Sequence, residues 1–248
     1  MSNALLTDSA RRVALTAGCA VGALAFLLAL GASWLAGRLG FSAYFLYVAG
    51  GVFVLAACFI PRQAARFHQA PRFGLANILT LSRLALTCLL AAFMVEVVRG
   101  YDPADTAAWV VAAIAAIALV LDGLDGFAAR RSGLASAFGA RFDMEVDAFM
   151  ILVLSVVAFA LNKAGVWVIA SGLLRYVYVL AASVAPALSR PLAPAWRRKA
   201  IAVIQGATLA ALLAPVVQPP VSTAAAVIAL LLLIYSFGAD IMAQVRGS

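Results

Sequence analysis

Eight apolar runs, each close to the length of a bilayer crossing, leave this chain one class of fold. They cover residues 13–35, 41–60, 77–98, 106–121, 138–161, 166–188, 200–217 and 221–243. About 20 apolar residues cross the hydrocarbon core as a helix. Lipid offers no hydrogen bonds, so a crossing segment must satisfy its backbone internally, and a helix does so. Hydrophobic residues make up 66% of the chain and charged residues 11%, against about 25% charged in soluble domains. The expectation is an all-α polytopic transmembrane bundle of about eight spans. The first run is too long for the apolar stretch of a signal peptide, and seven more follow it.

The polar residues between the runs set the orientation. Residues 61–76 mix Arg62, Arg66, His68 and Arg72 with apolar positions, the pattern of an amphipathic segment lying on the membrane. A second basic linker, 190–199, carries Arg190, Arg197, Arg198 and Lys199. With eight spans these segments share one side with both termini, and only Arg38, Arg99 and Lys163 fall on the other. The asymmetry places both termini and that face in the cytoplasm. The formal charge of +8 then reflects cytoplasmic loops and anionic headgroups, and no nucleic acid is expected. Cys19, Cys58 and Cys88 sit in apolar runs without disulfide or zinc spacing. His68 is the only histidine, which argues against a His-based triad or metal cluster.

Residues 119–149 interrupt the apolar pattern with Asp122, Asp125, Asp143 and Asp147. Asp122 and Asp125 are three apart and share a helical face, which Gly126, Ala129 and Arg130 continue. Asp143 and Asp147 are four apart and also share a face, with Gly139 one turn before them. A charged loop between spans has no reason to keep helical spacing on both arms, or small residues beside the acids. Two helices meeting along these faces gather four carboxylates in a small volume. Such a cluster calls for a counter-charge, and a hard divalent cation with oxygen ligands, Mg²⁺ or Mn²⁺, supplies it.

The stretch reads D-x-x-D-G-x-x-A-R, eight residues, then G-x-x-x-D-x-x-x-D. It resembles the signature of the CDP-alcohol phosphotransferases at every fixed position. The resemblance covers mainly residues 77–243. It implies a six-helix core at 77–248, with two extra N-terminal transmembrane helices within 1–60. Those two could pack on the core, pair two copies into a homodimer, or shape lipid access. It implies an integral membrane enzyme of phospholipid synthesis, moving a phosphatidyl group from CDP-diacylglycerol to a polar alcohol with release of CMP. Glycerol 3-phosphate, serine, inositol phosphate and choline are all acceptors within the family. A phosphorylated acceptor is slightly preferred, because Arg175, Arg197, Arg198 and Lys199 could contact a phosphate. The reverse arrangement, a soluble CDP-alcohol passed to diacylglycerol, uses the same motif.

The same resemblance assigns roles. Asp122, Asp125, Asp143 and Asp147 are expected as metal ligands for Mg²⁺ or Mn²⁺, with Asp147 also the general base. Gly126 and Ala129 let the nucleotide lie close, Arg130 meets the donor phosphate, and Gly139 lets the two motif helices approach. Asn77, Thr80 and Arg83 match the family's N-x-x-T-x-x-R, which lines the nucleotide pocket. A plainer reading makes Asn77 a helix cap and sends Arg83 to the headgroups. Arg175, deep in a span, is expected either in the acceptor pocket or in a structural ion pair. Lys199 and Gln205 partly match a family K-x-x-T-x-x-Q, with Ala202 in the middle place. Lys199 is therefore a weak acceptor candidate or simple cytoplasmic charge. Glu145 points off the aspartate face and is expected to pair with an arginine. Glu96 and Asp105 are expected as solvated loop residues, and Asp240 as a helix-end residue.

An ion or solute transporter is the competing class, since intramembrane acids also mark ion pathways. That reading asks for acids near the midplane and for related halves with broken helices. Here the acids gather at one edge and no halves repeat. A non-catalytic scaffold has no use for four intact aspartates.

Overall fold

The computed structural model describes residues 2–67, 73–132, 136–185 and 195–246, with side chains at 11–64, 73–124, 136–185 and 195–245. His68, Arg72 and Arg190 lie outside the described residues. Of Arg66, Asp125, Gly126, Ala129 and Arg130 only the helical backbone is described.

Nine α-helices are described: α1 (Ser2–Leu39), α2 (Ala43–Ala57), α3 (Ile60–Phe67), α4 (Leu75–Val98), α5 (Asp105–Ser132), α6 (Ala137–Ala160), α7 (Ala170–Val184), α8 (Trp196–Leu212) and α9 (Val221–Arg246). A 3₁₀ turn, Val166–Ile169, leads into α7. No strand occurs among the described residues.

Eight of these helices are long, and six segments are long and apolar enough to cross a membrane. The other two are α6 and α8. Helix α6 carries Arg141, Asp143, Glu145 and Asp147 in its first half, and α8 has 17 residues. Both pack within the bundle all the same. The chain is thus an all-helical, multi-pass membrane protein. The short α3 is amphipathic, burying Ile60 and Ala64 while Arg62 and Gln63 stay exposed.

Helix α4 is the axis of the fold. Of its apolar window, 67% is buried, against 17–28% in the other spans. It packs on α5, α6, α2 and α1. In lipid, apolar surface gains nothing by turning inward, so burial on this scale needs polar contacts and small residues. Helix α4 has both, with Arg83, Thr87 and Asn77 buried beside Ala85, Ala91 and Ala92.

One polar contact corrects the sequence reading. Glu96 is not a solvated loop residue but is 5% exposed. It accepts from Ser42 N at 3.2 Å and Ser42 Oγ at 2.5 Å. Ser42 caps α2, its hydroxyl also accepting from Tyr44 N. The carboxylate therefore sits at the positive end of α2, which offsets the cost of burying it. Phe41 stacks on Phe45 at 4.5 Å and meets Phe93 and Tyr101 edge-on. Tyr101 donates to Leu39 O at 2.7 Å. Through these contacts the two N-terminal spans are docked on α4.

At the same end of the bundle, after α6, Lys163 is 5% exposed. Its Nζ donates to Ala214 O and Val217 O, and its carbonyl accepts from Ser222 and Thr223. Burial lowers the pKa of this ammonium, opposed by Asp105. The residue expected as a loop charge is a clamp between α6 and the α8–α9 turn.

Candidate active site

Three helices build the site. Asp122 comes from α5, Asp143 and Asp147 from α6, and Arg83 from α4 between them. The two motif helices were expected to meet each other. Their acids do meet, and they do so at α4: each helix packs on α4, and Asp122, Asp143 and Asp147 converge on its arginine. Arg83 is completely buried. Its Nη1 lies 2.8 Å from Asp122 Oδ1 and 2.6 Å from Asp143 Oδ1, and its Nη2 bonds Asp147 Oδ1. A planar guanidinium, with five donors in a fixed fork, can serve several carboxylates in this way.

Charge and spacing both leave room for a further cation. One carboxylate oxygen from each of Asp122, Asp143 and Asp147 lies within 4.8 Å of the others. Three carboxylates against one guanidinium leave a formal charge of −2. All-oxygen donors of this charge suit Mg²⁺ or Mn²⁺. The Asp122, Asp143 and Asp147 side chains are 31%, 35% and 42% exposed, so a polar substrate has an approach to them.

Gly139 and Asn77 meet. A Cβ on Gly139 would lie 2.8 Å from Asn77 Oδ1, so this glycine lets α6 approach α4. Asn77 is buried and donates through Nδ2 to Phe73 O. The residue at the cap position is Gly74, with a positive φ of 78°. Thr80 is buried, and its hydroxyl bonds Ala76 O at 3.0 Å.

Arg175 pairs with Glu145 at 2.6 Å, the arginine partner expected for that acid. It also lines a cavity of about 180 Å³ together with Asp147, Ser171, Ala202, Gln205 and Phe237. The ion pair expected as one alternative for Arg175 is thus present, and its side chain also borders a cavity. Lys199 is exposed in the first turn of α8 and is not among the residues lining the cavity. One and two turns further on, Ala202 and Gln205 are. Arg197 and Arg198 bond Asp240, at 2.6 Å and 3.3 Å, so they tie α8 to α9, and Asp240 is 7% exposed.

Sequence reasoning underrated Arg83. A lone arginine near the start of a span looks the same whether it reaches lipid headgroups or acids on other helices. The usable signal was its place in N-x-x-T-x-x-R.

A sequence model of CDP-alcohol phosphatidyltransferase matches residues 73–236. Among curated proteins and among solved structures, none matches the chain.

Proposed function

Because the chain belongs to the CDP-alcohol phosphatidyltransferase family, we propose that it transfers a phosphatidyl group from CDP-diacylglycerol to a small polar alcohol and releases CMP. The observation that carries this reading is the convergence of Asp122, Asp143 and Asp147 on Arg83, beside the cavity that Asp147 and Arg175 share.

In this reading the acceptor sits in that cavity with its hydroxyl at Asp147. The hydroxyl oxygen attacks the phosphorus that bears diacylglycerol. The bond from that phosphorus to the bridging oxygen breaks, and CMP departs with the oxygen. Asp147 takes the hydroxyl proton as general base. Asp122, Asp125, Asp143 and Asp147 are the residues that would hold Mg²⁺ or Mn²⁺. A divalent ion there would offset the pyrophosphate charge and stabilise the leaving phosphate. Gly126 and Ala129 leave space for the nucleotide, with Arg130, Asn77, Thr80 and Gly139 around it. Arg175 holds the acceptor's far end, with Lys199 at most an outer charge. The core is residues 77–248, the two spans within 1–60 are an addition to it, and 61–76 lies at the interface. The motif faces the cytoplasm, where CMP and the polar alcohol are soluble.

The test is CMP release by purified protein given CDP-diacylglycerol, a panel of alcohols, and Mg²⁺ or Mn²⁺. Asp147→Asn keeps the shape of the side chain but is a far weaker base. It is expected to lower kcat about 10²–10⁴-fold with near-normal donor affinity. If donor affinity collapses and excess Mn²⁺ restores turnover, Asp147 is chiefly a metal ligand. If wild-type protein releases no CMP with any alcohol, the reading fails.

A further inference from the structure

The cavity beside Asp147 contains polar atoms that no described residue satisfies. Ser171 is 3% exposed and Gln205 is 2% exposed. The Ser171 hydroxyl, and both the oxygen and the nitrogen of the Gln205 amide, are buried without a hydrogen-bond partner. Buried polar groups are nearly always paired in folded proteins. Three such atoms around one cavity, on α7 and α8, are what a ligand with matching groups leaves behind when it is absent. Arg175 adds a fourth, since its Nη2 bonds Glu145 while its buried Nε makes no bond.

We infer that Ser171 and Gln205 select the acceptor, and that it is a polyol carrying a single anionic group rather than an amino alcohol. This rests on the transferase reading above and names its substrate class. Each polar atom argues for it. An amide presents a donor and an acceptor together, and so does a hydroxyl. A second hydroxyl next to the reacting one satisfies Gln205 and Ser171 in both directions. An ammonium group donates only, so it would leave the Gln205 nitrogen unmet; serine could meet it only with its carboxylate, which would then be spent there and not on the unpartnered Arg175 Nε. A trimethylammonium neither donates nor accepts and would leave every one of these atoms unmet. A site built around hydroxyl hydrogen bonds discriminates strongly against ligands that lack them.

The charges agree. The acid facing an incoming ammonium would be Asp147, already bonded to Arg83 and needed for the proton. Glu145 is bonded to Arg175 and is 62% exposed. Water screens that pair, so the guanidinium can also hold an anion from the cavity side. Among the described residues that line the cavity, Phe237 is the one aromatic ring, too few for an aromatic cage around a quaternary ammonium. At about 180 Å³ the space is below the roughly 300–1,000 Å³ of ordinary ligand pockets and suits a headgroup.

Purified full-length protein with CDP-diacylglycerol and Mg²⁺ or Mn²⁺ tests this. Glycerol 3-phosphate and inositol phosphate are offered against serine and choline. The polyol phosphates are expected to be preferred at least 100-fold in kcat/KM. Gln205→Leu and Ser171→Ala are each expected to raise the acceptor KM about 10-fold or more, with the CDP-diacylglycerol KM within about twofold of wild type. Gln205→Glu, which keeps size and polarity, guards against misfolding of the apolar variant. It is expected to bind CDP-diacylglycerol normally while losing the anionic acceptor. Preference for serine or choline overturns the proposal, as does an unchanged acceptor KM in these variants; both leave the transferase reading standing. No CMP release with any acceptor overturns that reading, and the proposal with it.

Discussion

Arg83 and the three aspartates are one electrostatic unit, and its parts differ in how they could be read. The aspartates were legible because acids at three- and four-residue spacing stand out against apolar helices. Arg83 was not, because its partners lie about 40–64 residues further along the chain, on two other helices. Removing it exposes the difference. Arg83→Gln leaves three carboxylates facing one another with their buried counter-charge gone. Breaking a buried ion pair from one side costs about 3–5 kcal/mol, and partial solvation of these carboxylates favours the lower end. The variant is expected to unfold at markedly lower temperature in EDTA, and Mg²⁺ or Mn²⁺ to recover more stability in it than in wild type. Thermal unfolding in detergent, with and without metal, measures both. Equal stability of variant and wild type in EDTA would show that Arg83 does not hold the cluster together.

At the scale of helices, the sequence yields the spans but not their neighbours. Length and hydropathy mark where each helix runs. Nothing in periodicity says that α4 stands between the two motif helices, or that Glu96 accepts hydrogen bonds from the residue that caps α2. Glu96 looked like a loop acid because it lies two residues before the end of α4, and only the tertiary contact with Ser42 accounts for its burial. Close approach is equally hidden. A Cβ at Gly172 would run into the Leu152 backbone of α6, so glycine here sets how near α7 comes. Gly172→Val must push α7 outward, and Ser171 and Arg175 travel with it. Overpacking of this kind costs about 1–3 kcal/mol. The expected result is a modest loss of thermal stability with a much larger rise in acceptor KM, both measurable on one preparation. A variant with normal acceptor KM would mean that the cavity tolerates movement of α7.

For the molecule as a whole, the deeply buried α4 bears on the order of manufacture. The ribosome delivers α4 before α5 and α6 exist, so Arg83 reaches the translocon with none of its aspartates. An arginine at the centre of a span costs roughly 2.5–3.5 kcal/mol on insertion scales, and nearer the end it can reach the headgroups. The helix that finishes most enclosed therefore begins as a provisional resident of the membrane, able to settle at depth only when its later partners arrive. Helices α1 and α2 are already present, and Ser42 offers Glu96 a berth at the opposite end. A chain truncated after Val98 is expected to hold α4 shallowly, with an engineered cysteine-labelling site near residue 83 accessible. Extension through Phe149 should bury that site. Equal accessibility at both lengths would mean that α4 seats itself without help, and that the aspartates join an arginine already waiting for them.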